Sequence, residues 1–379
     1  MQGIYLDHSA TTPLREEVFA AMQPFFSLHF ANPSSIHSPG QDARKAVEKA
    51  RATVAQVLGV RPTEIRFTSG GTESNNLAIY GLIRASEKRN PHIIVSSIEH
   101  PSVLECARYL ESHGVAVTYL PVNAMGQVDP DSLRQALRKD TVLISVMLAN
   151  NEVGAIQPIA EIGQIARACG VPLHVDAVQA AGKLSLRPQE LGADLMTLSG
   201  HKINGPKGIG ILYVSDAVHL SPVFYGGGHE QGLRPGTLNV PSIVGTAEAL
   251  RLADTERPQV CTRLASLRDR LERGIVERID GACIHAQHAD RLPHITNVGF
   301  PNIDGETLLL ALDSQGIFVS TGSACSAGSS KPSHVLTAMG IPSSEATCSL
   351  RFSLGLSTTQ EEVDHVLEVL PRIITALRL

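Results

Sequence analysis

A polar, glycine-rich segment with one histidine and two lysines reads Leu198-Ser199-Gly200-His201-Lys202-Ile203-Asn204-Gly205-Pro206-Lys207-Gly208. An apolar run at Leu195 and Met196 precedes it, and a strand-like run at 209–214 follows it. This pattern predicts a turn at the edge of a buried sheet. A lysine in such a turn is well placed to form a Schiff base with an aldehyde. The alternative is an ordinary solvated surface lysine.

Composition limits the class of protein. The 379 residues suffice for one large and one smaller domain. A net charge of -5, from 32 Lys and Arg against 37 Asp and Glu, argues against a nucleic-acid partner. No apolar run approaches the length of a membrane span, and MQGIYLDHSATTP lacks the pattern of a secretory signal. We therefore expect a cytoplasmic enzyme without a membrane partner.

The cysteines fall into two groups. None of the six forms a C-x-x-C pair or a spacing typical of metal binding, so we expect no metal site. Five are expected to behave as small core residues: Cys106, Cys169, Cys261, Cys283 and Cys348. Cys325 differs because its neighbours at 320–330 are small and polar. It is predicted to be either an exposed nucleophile that needs activation or an inert loop thiol.

Strand-like and helical patterns alternate through the first 255 residues. Short apolar runs predict strands at 64–68, 92–97, 115–120, 141–148 and 172–177. Helical spacing predicts helices from Pro13 with Thr12 as N-cap, at 43–57, near Glu73, and at 102–113, 130–138 and 159–169. This rhythm predicts an α/β fold with a mostly parallel sheet in three layers. Ligands of such sheets collect at the carboxyl ends of the strands.

The pattern changes after about residue 255. A helix at 260–279, strand-like pieces at 295–299 and 316–320, and a helix from Thr359 predict a smaller α+β domain. The predicted large domain therefore covers 15–255. The small domain covers 1–14 and 256–379 and includes the cysteine loop at about 320–332.

Polar residues follow several predicted strands. Ser69-Gly70-Gly71-Thr72 lies between a strand and a helix, where free N–H groups suit a phosphate, although glycine turns are common at such junctions. His100 follows another strand and suits ring stacking or proton transfer, or is simply bonded to backbone. Asn150 and Asn151 end a third, as ligand-binding amides or as ordinary turn residues.

Two charged residues interrupt apolar strands. Asp176 lies in His174-Val175-Asp176-Ala177-Val178-Gln179, and a buried carboxylate there requires a partner such as a cationic ring nitrogen. An N-cap or a structural salt bridge is the alternative. Arg351 suits bidentate capture of a carboxylate, or else a structural ion pair.

Together these motifs resemble the pyridoxal-phosphate (PLP)-dependent cysteine desulfurases of the NifS/IscS type. The resemblance rests on motifs spread over nearly the whole chain: YLDHSATTP, NPSSIH, FTSGGTESNN, SIEHPSV, NNEVG, HVDAVQ, SGHKINGPKG, GGGHE, RPGTLNV, STGSACSAG and RFSLG. It implies PLP-dependent transferase fold type I, a three-layer αβα large domain and a smaller α+β domain. The implied activity converts L-cysteine to L-alanine and leaves a persulfide on an enzyme cysteine.

The resemblance also implies a role for each site residue. Lys202 would carry PLP, Asp176 would pair with the ring nitrogen, and His100 would stack on the ring and assist catalysis. Gln179 and Asn151 would contact the oxygen side of the ring, and Asn151 also the substrate. The phosphate would be bound by Gly71, Thr72, Ser199 and His201, with Thr237 reaching in from the partner subunit. Arg351 would bind the substrate carboxylate, and Cys325 would accept the sulfur.

The implied partners are L-cysteine, a second copy of the chain with the site at the interface, and a sulfur-acceptor protein for iron–sulfur assembly or tRNA thiolation. Two other readings stay open. One is another PLP reaction on the same fold, such as transamination or a cysteine or selenocysteine lyase. The other is a non-catalytic sulfur-relay or scaffold protein.

Overall fold

The structure is a computed structural model that describes residues 3–322 and 332–378. Its strands, numbered along the chain, are β1 (Ile4–Tyr5), β2 (Ile65–Thr68), β3 (His92–Ser96), β4 (Ala116–Leu120), β5 (Thr141–Ser145), β6 (Leu173–Asp176), β7 (Leu195–Ser199), β8 (Gly210–Val214), β9 (Cys283–Ile284), β10 (Ile295–Gly299), β11 (Ile317–Phe318) and β12 (Ser349–Ser353). Its α-helices are α1 (Glu16–Met22), α2 (Pro24–Ser27), α3 (Ser38–Leu58), α4 (Gly71–Ala85), α5 (Pro101–Ser112), α6 (Pro130–Ala136), α7 (Ile159–Cys169), α8 (Pro188–Leu191), α9 (Val240–Arg278), α10 (Gly305–Ser314), α11 (His334–Ala338), α12 (Ser343–Ala346) and α13 (Gln360–Leu377).

A seven-stranded sheet occupies the centre, in the order β2-β8-β7-β6-β5-β3-β4. The pairs from β7 through β6, β5 and β3 to β4 are all parallel. Strand β8 runs antiparallel to both β2 and β7. Strands β2 and β7 therefore point the same way, and the carboxyl ends of six strands meet at one edge. The predicted α/β fold with a mostly parallel sheet is confirmed.

Both faces of this sheet are covered by helices. Strands β3, β5, β6 and β7 carry almost only buried residues, as their continuous apolar runs predict. One apolar cluster joins the sheet to helices α3, α7 and α9, and a second joins it to α4 and α5. The sheet is therefore the middle of three layers, which holds the strand ends rigidly in place.

The carboxyl-terminal part of the chain forms a second core. Strands β12, β10 and β9 make an antiparallel sheet in that order. Their apolar residues pack with Leu6, α10, α13 and the second half of α9. This separate cluster supports the predicted division into 15–255 and 1–14 with 256–379, which stays a prediction.

Helix α1 begins three residues later than predicted, at Glu16 instead of Pro13. Thr12 does not cap it. The Thr12 hydroxyl donates to the carbonyl oxygen of His201 at 2.8 Å and accepts from the backbone N–H of Asn204 at 2.8 Å. The predicted N-cap thus fastens the N-terminal segment to the lysine turn, a long-range contact that local sequence cannot reveal.

Helix α9 was predicted to begin at 260 but spans Val240–Arg278, across the predicted domain boundary. It continues through Pro258, which lacks the N–H for one helical hydrogen bond. Tertiary packing compensates, because α9 contacts α1 and α3 in one core and α13 in the other. Within residues 3–322 and 332–378, no helix is long and apolar enough to cross a membrane.

The prediction that five cysteines are core residues was wrong for four of them. Only Cys106 is buried, whereas Cys169 and Cys283 are exposed and Cys261 and Cys348 are partly exposed. Cys169 ends helix α7, and Cys283 lies in β9 at the edge of its sheet. Their positions at element ends and edges leave them accessible.

We expect Glu272→Ala to lower the stability of the fold. Glu272 in α9 and Arg291 form a bidentate pair at 2.7 and 3.0 Å, and their side chains are only 10% and 6% exposed. Removing one partner of such a pair leaves a buried charge and costs about 3–5 kcal/mol. The matched control is Asp364→Ala, which breaks the Arg270–Asp364 pair whose side chains are 46% and 37% exposed. It should cost about 0–1 kcal/mol. Equal shifts of the two thermal midpoints would contradict this expectation.

Candidate active site

A cavity of about 360 Å³ lies at the carboxyl edge of the central sheet. Its volume is within the range typical of small-molecule sites. Ten of the residues predicted from the sequence line it: Gly71, Thr72, His100, Asn151, Asp176, Gln179, Ser199, His201, Lys202 and Arg351. Residues from motifs spread along the chain therefore line one common cavity.

The parallel strands explain why these residues converge. Gly71 follows β2, His100 follows β3, Asn151 follows β5, Asp176 ends β6, and Ser199 ends β7 immediately before the short 3-10 helix Gly200–Lys202. Because the carboxyl ends of these strands share one edge, the loops that follow them open into the same space.

Asp176 is 6% exposed and is fixed by two donors. Its Oδ2 accepts from the side-chain amide of Asn75 at 2.8 Å, and its Oδ1 accepts from the backbone N–H of Val178 at 3.0 Å. The sequence reasoning missed Asn75, although a polar residue on the buried face of α4 was an available signal. Asn75 also donates to Ser102 Oγ at 2.8 Å.

His100 caps helix α5 through its ring nitrogen Nδ1. This atom lies 3.1 Å from the backbone N–H of Ser102 and 2.8 Å from Ser102 Oγ. A backbone N–H can only donate, so Nδ1 is an acceptor and the neutral ring carries its proton on Nε2. Burial lowers the pKa of His100; Lys202 and His334 act in the same direction, and Asp176 opposes them. The neutral ring is therefore the form favoured at neutral pH.

The N-terminal segment closes one side of the cavity next to Lys202. Lys202 Nζ donates to the carbonyl oxygens of Ser9 and Ala10, the latter at 2.7 Å. The carbonyl oxygen of Ser9 also accepts from Gln179 Nε2 at 2.9 Å. Ser9 and Ala10 lie in the motif YLDHSATTP but were assigned no role from the sequence. No local pattern places them beside Lys202.

One end of the cavity suits a phosphate group. The 15-residue helix α4 begins at Gly71, so its unpaired N–H groups face this end. A Cβ added at Gly71 would lie only 3.1 Å from Val178, so a small residue fits here best. Thr72, Ser199 and His201 line the same region. Burial lowers the pKa of His201 to about 4, with Lys202 and Lys207 adding to the effect, so its ring is neutral.

Arg351 is 2% exposed and already has partners. Its Nη2 lies 2.6 Å from Asp7 Oδ1, and its Nη1 donates to the carbonyl oxygen of Asn151 at 3.0 Å. The predicted alternative of a structural ion pair is therefore present. Each terminal nitrogen of Arg351 has a second N–H group. Arg351 lines the cavity and therefore keeps donors for a carboxylate.

Two predicted residues remain to be accounted for. Thr237 is exposed in the loop before α9. Cys325 lies outside the described residues, as does the rest of 323–331.

Glu99, adjacent to His100, was quoted in a motif but given no role. It is fully buried; its Oε1 accepts from Ser96 Oγ at 2.5 Å and from the backbone N–H of Met147 at 2.6 Å. Burial raises the pKa of Glu99 from 4.5 to about 8; Asp176 adds to the effect, and the bonds from Ser96 and Met147 oppose it. Glu99 is therefore mostly protonated at neutral pH.

Comparisons with known proteins extend over nearly the whole chain. The family described as aminotransferase class-V matches residues 4–366. A cysteine desulfurase IscS of Dictyoglomus turgidum is 48% identical over 375 residues, which are 99% of this chain and 95% of that protein. A solved structure of a NifS-like protein has 40% identity and a TM-score of 0.93, covering 99% of this chain and 100% of its own. The structure of SspA in complex with cysteine has 39% identity and a TM-score of 0.83, covering 93% and 98%.

We expect Glu99→Gln to remove a pH dependence of stability. The folded state keeps the Glu99 proton up to about pH 8, whereas the unfolded chain loses it near pH 4.5. The folded state thus binds more protons between these values, and this group lowers stability by up to about 1.4 kcal/mol per pH unit as the pH rises. Thermal midpoints from pH 5 to 8 should fall less in Glu99→Gln than in the wild type. The exposed Glu105→Gln should follow the wild type, and identical profiles for all three would contradict the assignment.

Proposed function

We infer the roles of the cavity residues from the premise that the chain belongs to the aminotransferase class-V family and is a PLP-dependent cysteine desulfurase. The resemblance, fold class, activity and cofactor predicted from the sequence are thereby confirmed. The individual residue roles, the subunit arrangement and the sulfur acceptor are our proposals. The observation that carries them is the convergence of Lys202, Asp176 and His100 on one cavity.

The residues present fit PLP. Lys202 would hold the aldehyde carbon, and Asp176 would face the ring nitrogen. The start of α4 with Gly71, Thr72, Ser199 and His201 would bind the phosphate, and Gln179 and Asn151 would lie on the oxygen side. When bound, PLP supplies an electron sink that weakens bonds at the substrate Cα and Cβ.

Lys202 is the group that moves the Cα proton in this proposal. Its Nζ is held by the carbonyl oxygens of Ser9 and Ala10, which are acceptors only. With cofactor and substrate bound, Lys202 would act through its Nζ as the amine that takes the Cα proton. The two carbonyl groups would then keep this amine inside the cavity.

His100 acts as a hydrogen-bond donor in this proposal. Two catalytic roles are open to it: taking the proton of the substrate thiol, or donating to the departing fragment. Because Nδ1 accepts from the backbone of Ser102, the neutral ring has its N–H at Nε2. Nε2 cannot take up a further proton without making the ring cationic, and burial disfavours the cation. The geometry thus supports stabilisation of developing negative charge by Nε2–H.

Arg351 would bind the substrate carboxylate through the N–H groups that Asp7 and Asn151 leave available. The contact of 2.6 Å between Asp7 Oδ1 and Arg351 Nη2 fixes the orientation of the guanidinium group. Little side-chain entropy is therefore lost when a second carboxylate binds to it. Arg351 can therefore keep its ion pair with Asp7 while it binds the substrate carboxylate.

Cys325 would accept the sulfur. Its thiolate forms an S–S bond with the substrate sulfur while the substrate Cβ–S bond breaks. The Cβ carbon takes up the electron pair and a proton, which yields alanine and a Cys325 persulfide. The sulfur is oxidised and the carbon is reduced, so no external oxidant or reductant is required.

We further propose a homodimer with the site at the interface. Large apolar side chains are exposed near the amino-terminus, and a second copy is the partner expected to cover them: Phe19, Phe26, Leu28, Phe30 and Ile36. Thr237 is exposed, as expected of a residue that reaches into the cavity of the partner subunit. We also propose a cytoplasmic location and a sulfur-acceptor protein, in iron–sulfur assembly or tRNA thiolation.

We expect Cys325→Ala to abolish formation of alanine and persulfide from L-cysteine while the protein still binds PLP and substrate. The reason is that the cofactor residues lie elsewhere, whereas the sulfur loses its acceptor. The measurement combines product analysis with mass spectrometry of the peptide that contains Cys325. Cys348→Ala, which changes another partly exposed thiol, should behave like the wild type.

The rival readings predict different results. Another PLP reaction with Cys325 incidental predicts that Cys325→Ala still turns over cysteine, with pyruvate or a keto acid as the product. A non-catalytic relay protein predicts no bound yellow cofactor and no effect of Lys202→Ala. Either result would refute the proposed roles.

We also expect the His100 ring of the holoenzyme to carry its proton on Nε2 at pH 7. The nitrogen chemical shifts of ¹⁵N-labelled histidine, assigned with a His100→Gln variant, measure this directly. Ser102→Ala should keep the same tautomer because the backbone N–H remains. A proton on Nδ1 would contradict the donor role.

A further inference from the structure

Glu152 is a buried acid with no role in the account above. It follows Asn151 after strand β5, is 2% exposed and lines the cavity. Burying a carboxyl group is costly unless its oxygens are bonded. The contacts of the Glu152 carboxyl group therefore indicate its role.

Glu152 contacts residues on both sides of 323–331. Its Oε2 accepts a hydrogen bond from Ser333 Oγ at 2.5 Å. The same oxygen lies against Gly322, where an added Cβ would overlap it. Gly322 directly precedes the segment 323–331, which contains Cys325, and Pro332 and Ser333 follow it. One carboxyl group thus touches both flanks.

The turn that carries Glu152 is itself fixed. Asn150 Oδ1 accepts from the backbone N–H groups of Glu152 at 2.8 Å and Val153 at 3.0 Å. Asn150 Nδ2 donates to the carbonyl oxygen of Ile98 at 3.1 Å. Because Ile98 lies in the turn after β3 and Asn150 in the turn after β5, Glu152 is anchored to the rigid sheet edge.

The carboxyl-side flank has a second attachment. His334 Nε2 donates to the carbonyl oxygen of Glu99 at 2.9 Å, in the turn that carries His100. Ser333 Oγ also accepts from the backbone N–H of Leu336 at 3.2 Å and so caps helix α11. The amino-side flank is joined to the substrate region too, because the backbones of Ser320 and Arg351 pair at 2.7 and 3.2 Å.

Gly322 is the nearer of the two flanks along the chain. Cys325 is three residues after Gly322 and eight before Ser333. The contact of Gly322 with Glu152 is therefore the attachment closest in sequence to the thiol.

We propose that Glu152 is a positioning residue for sulfur transfer, holding Gly322 and Ser333 so that Cys325 meets the substrate sulfur. The proposal rests on the role of Cys325 given above. The side-chain hydrogen bond of Glu152 goes to Ser333, so Glu152 acts through the two flanks. It should affect the sulfur-transfer step selectively.

The first test compares Glu152→Ala with Glu152→Gln. Glutamine keeps an oxygen that accepts from Ser333, whereas alanine removes it. We expect Glu152→Ala to lower kcat for alanine and persulfide formation by about 10- to 100-fold, the loss typical of removing a hydrogen-bond partner of a charged group. Its KM for L-cysteine and its cofactor absorbance should stay unchanged. Glu152→Gln should remain within about threefold of the wild type on the same grounds; equal losses in both variants would overturn the proposal.

A second readout does not depend on turnover. Alkylation of Cys325 by iodoacetamide, followed by mass spectrometry, reports the intrinsic reactivity of the thiol. We expect the wild type and Glu152→Ala to be alkylated at similar rates, because an external reagent needs no positioning. If alkylation slows as much as persulfide formation, Glu152 acts on thiol reactivity and the proposal is wrong.

A third test uses Gly322. Gly322→Ala should impair persulfide formation in the wild type, because its Cβ would overlap the Glu152 carboxyl group. In the Glu152→Ala background the same change should cost nothing further. Additive losses would overturn the proposal. Ser333→Thr keeps the hydroxyl and should form persulfide faster than Ser333→Ala. This pair of variants tests the same hydrogen bond from the side of Ser333, and so it is a control for a folding defect in the Glu152 variants.

The proposal and the assignment of Cys325 fail in different ways. If Cys325→Ala still forms alanine at the normal rate, the role of Cys325 is wrong. If Cys325→Ala is inactive and Glu152→Ala is as active as the wild type, the role of Cys325 is supported and only the role of Glu152 is wrong.

Discussion

The side-chain amide of Asn75 joins the two groups on which the site depends. It donates to the buried acid Asp176 and to Ser102, whose hydroxyl meets His100 Nδ1, and each of these contacts is 2.8 Å long. A buried acid is tolerated only when its oxygens are bonded, and a histidine has a defined tautomer only when one ring nitrogen is fixed. Asn75 therefore connects the acid to the Ser102 hydroxyl beside the histidine, whereas the backbone N–H of Ser102 fixes the tautomer of the ring. Helix α4 thus links two groups that come from different strand ends.

The sheet positions the residues that line the cavity, but it does not close the cavity on every side. Its strand ends bring the lysine, the acid and the histidine to one edge, and the N-terminal segment then closes the side next to Lys202. Thr12 binds that segment to the backbone of His201 and Asn204, and the carbonyl oxygens of Ser9 and Ala10 receive the lysine amine. Leu6, a few residues earlier, packs in the second core. The segment thus connects the lysine turn to the part of the fold that carries Arg351.

The sequence predicted the convergence of residues whose placement depends on local order, and it missed contacts between distant parts of the chain. Lys202 and Asp176 could be predicted because each directly follows or ends an apolar strand, and parallel strands bring such positions together. Asn75 was missed although a polar residue on the buried face of α4 was a signal. Ser9 could not be predicted, because its partner Lys202 lies almost two hundred positions away. The start of α1 was misplaced for the same reason, because the Thr12 hydroxyl binds the lysine turn instead of its own helix. Helix α9 was cut short because the change of pattern after about residue 255 suggested a boundary that packing against two cores overrides.

Two acids close to the cavity have different surroundings, and the difference has a consequence for charge. Asp176 faces the cavity and receives donors at both oxygens, whereas Glu99 is buried behind His100 and, among the described residues, its Oε2 has no partner. Burial and the charge of Asp176 both raise the pKa of Glu99, so the inner acid keeps its proton. A second negative charge would compete with Asp176 for any cation in the cavity and would favour a cationic His100. By staying neutral, Glu99 leaves Asp176 as the charged one of the two acids, available to the ring nitrogen proposed above. It also avoids favouring a cationic His100, which would displace the Ser102 N–H from Nδ1.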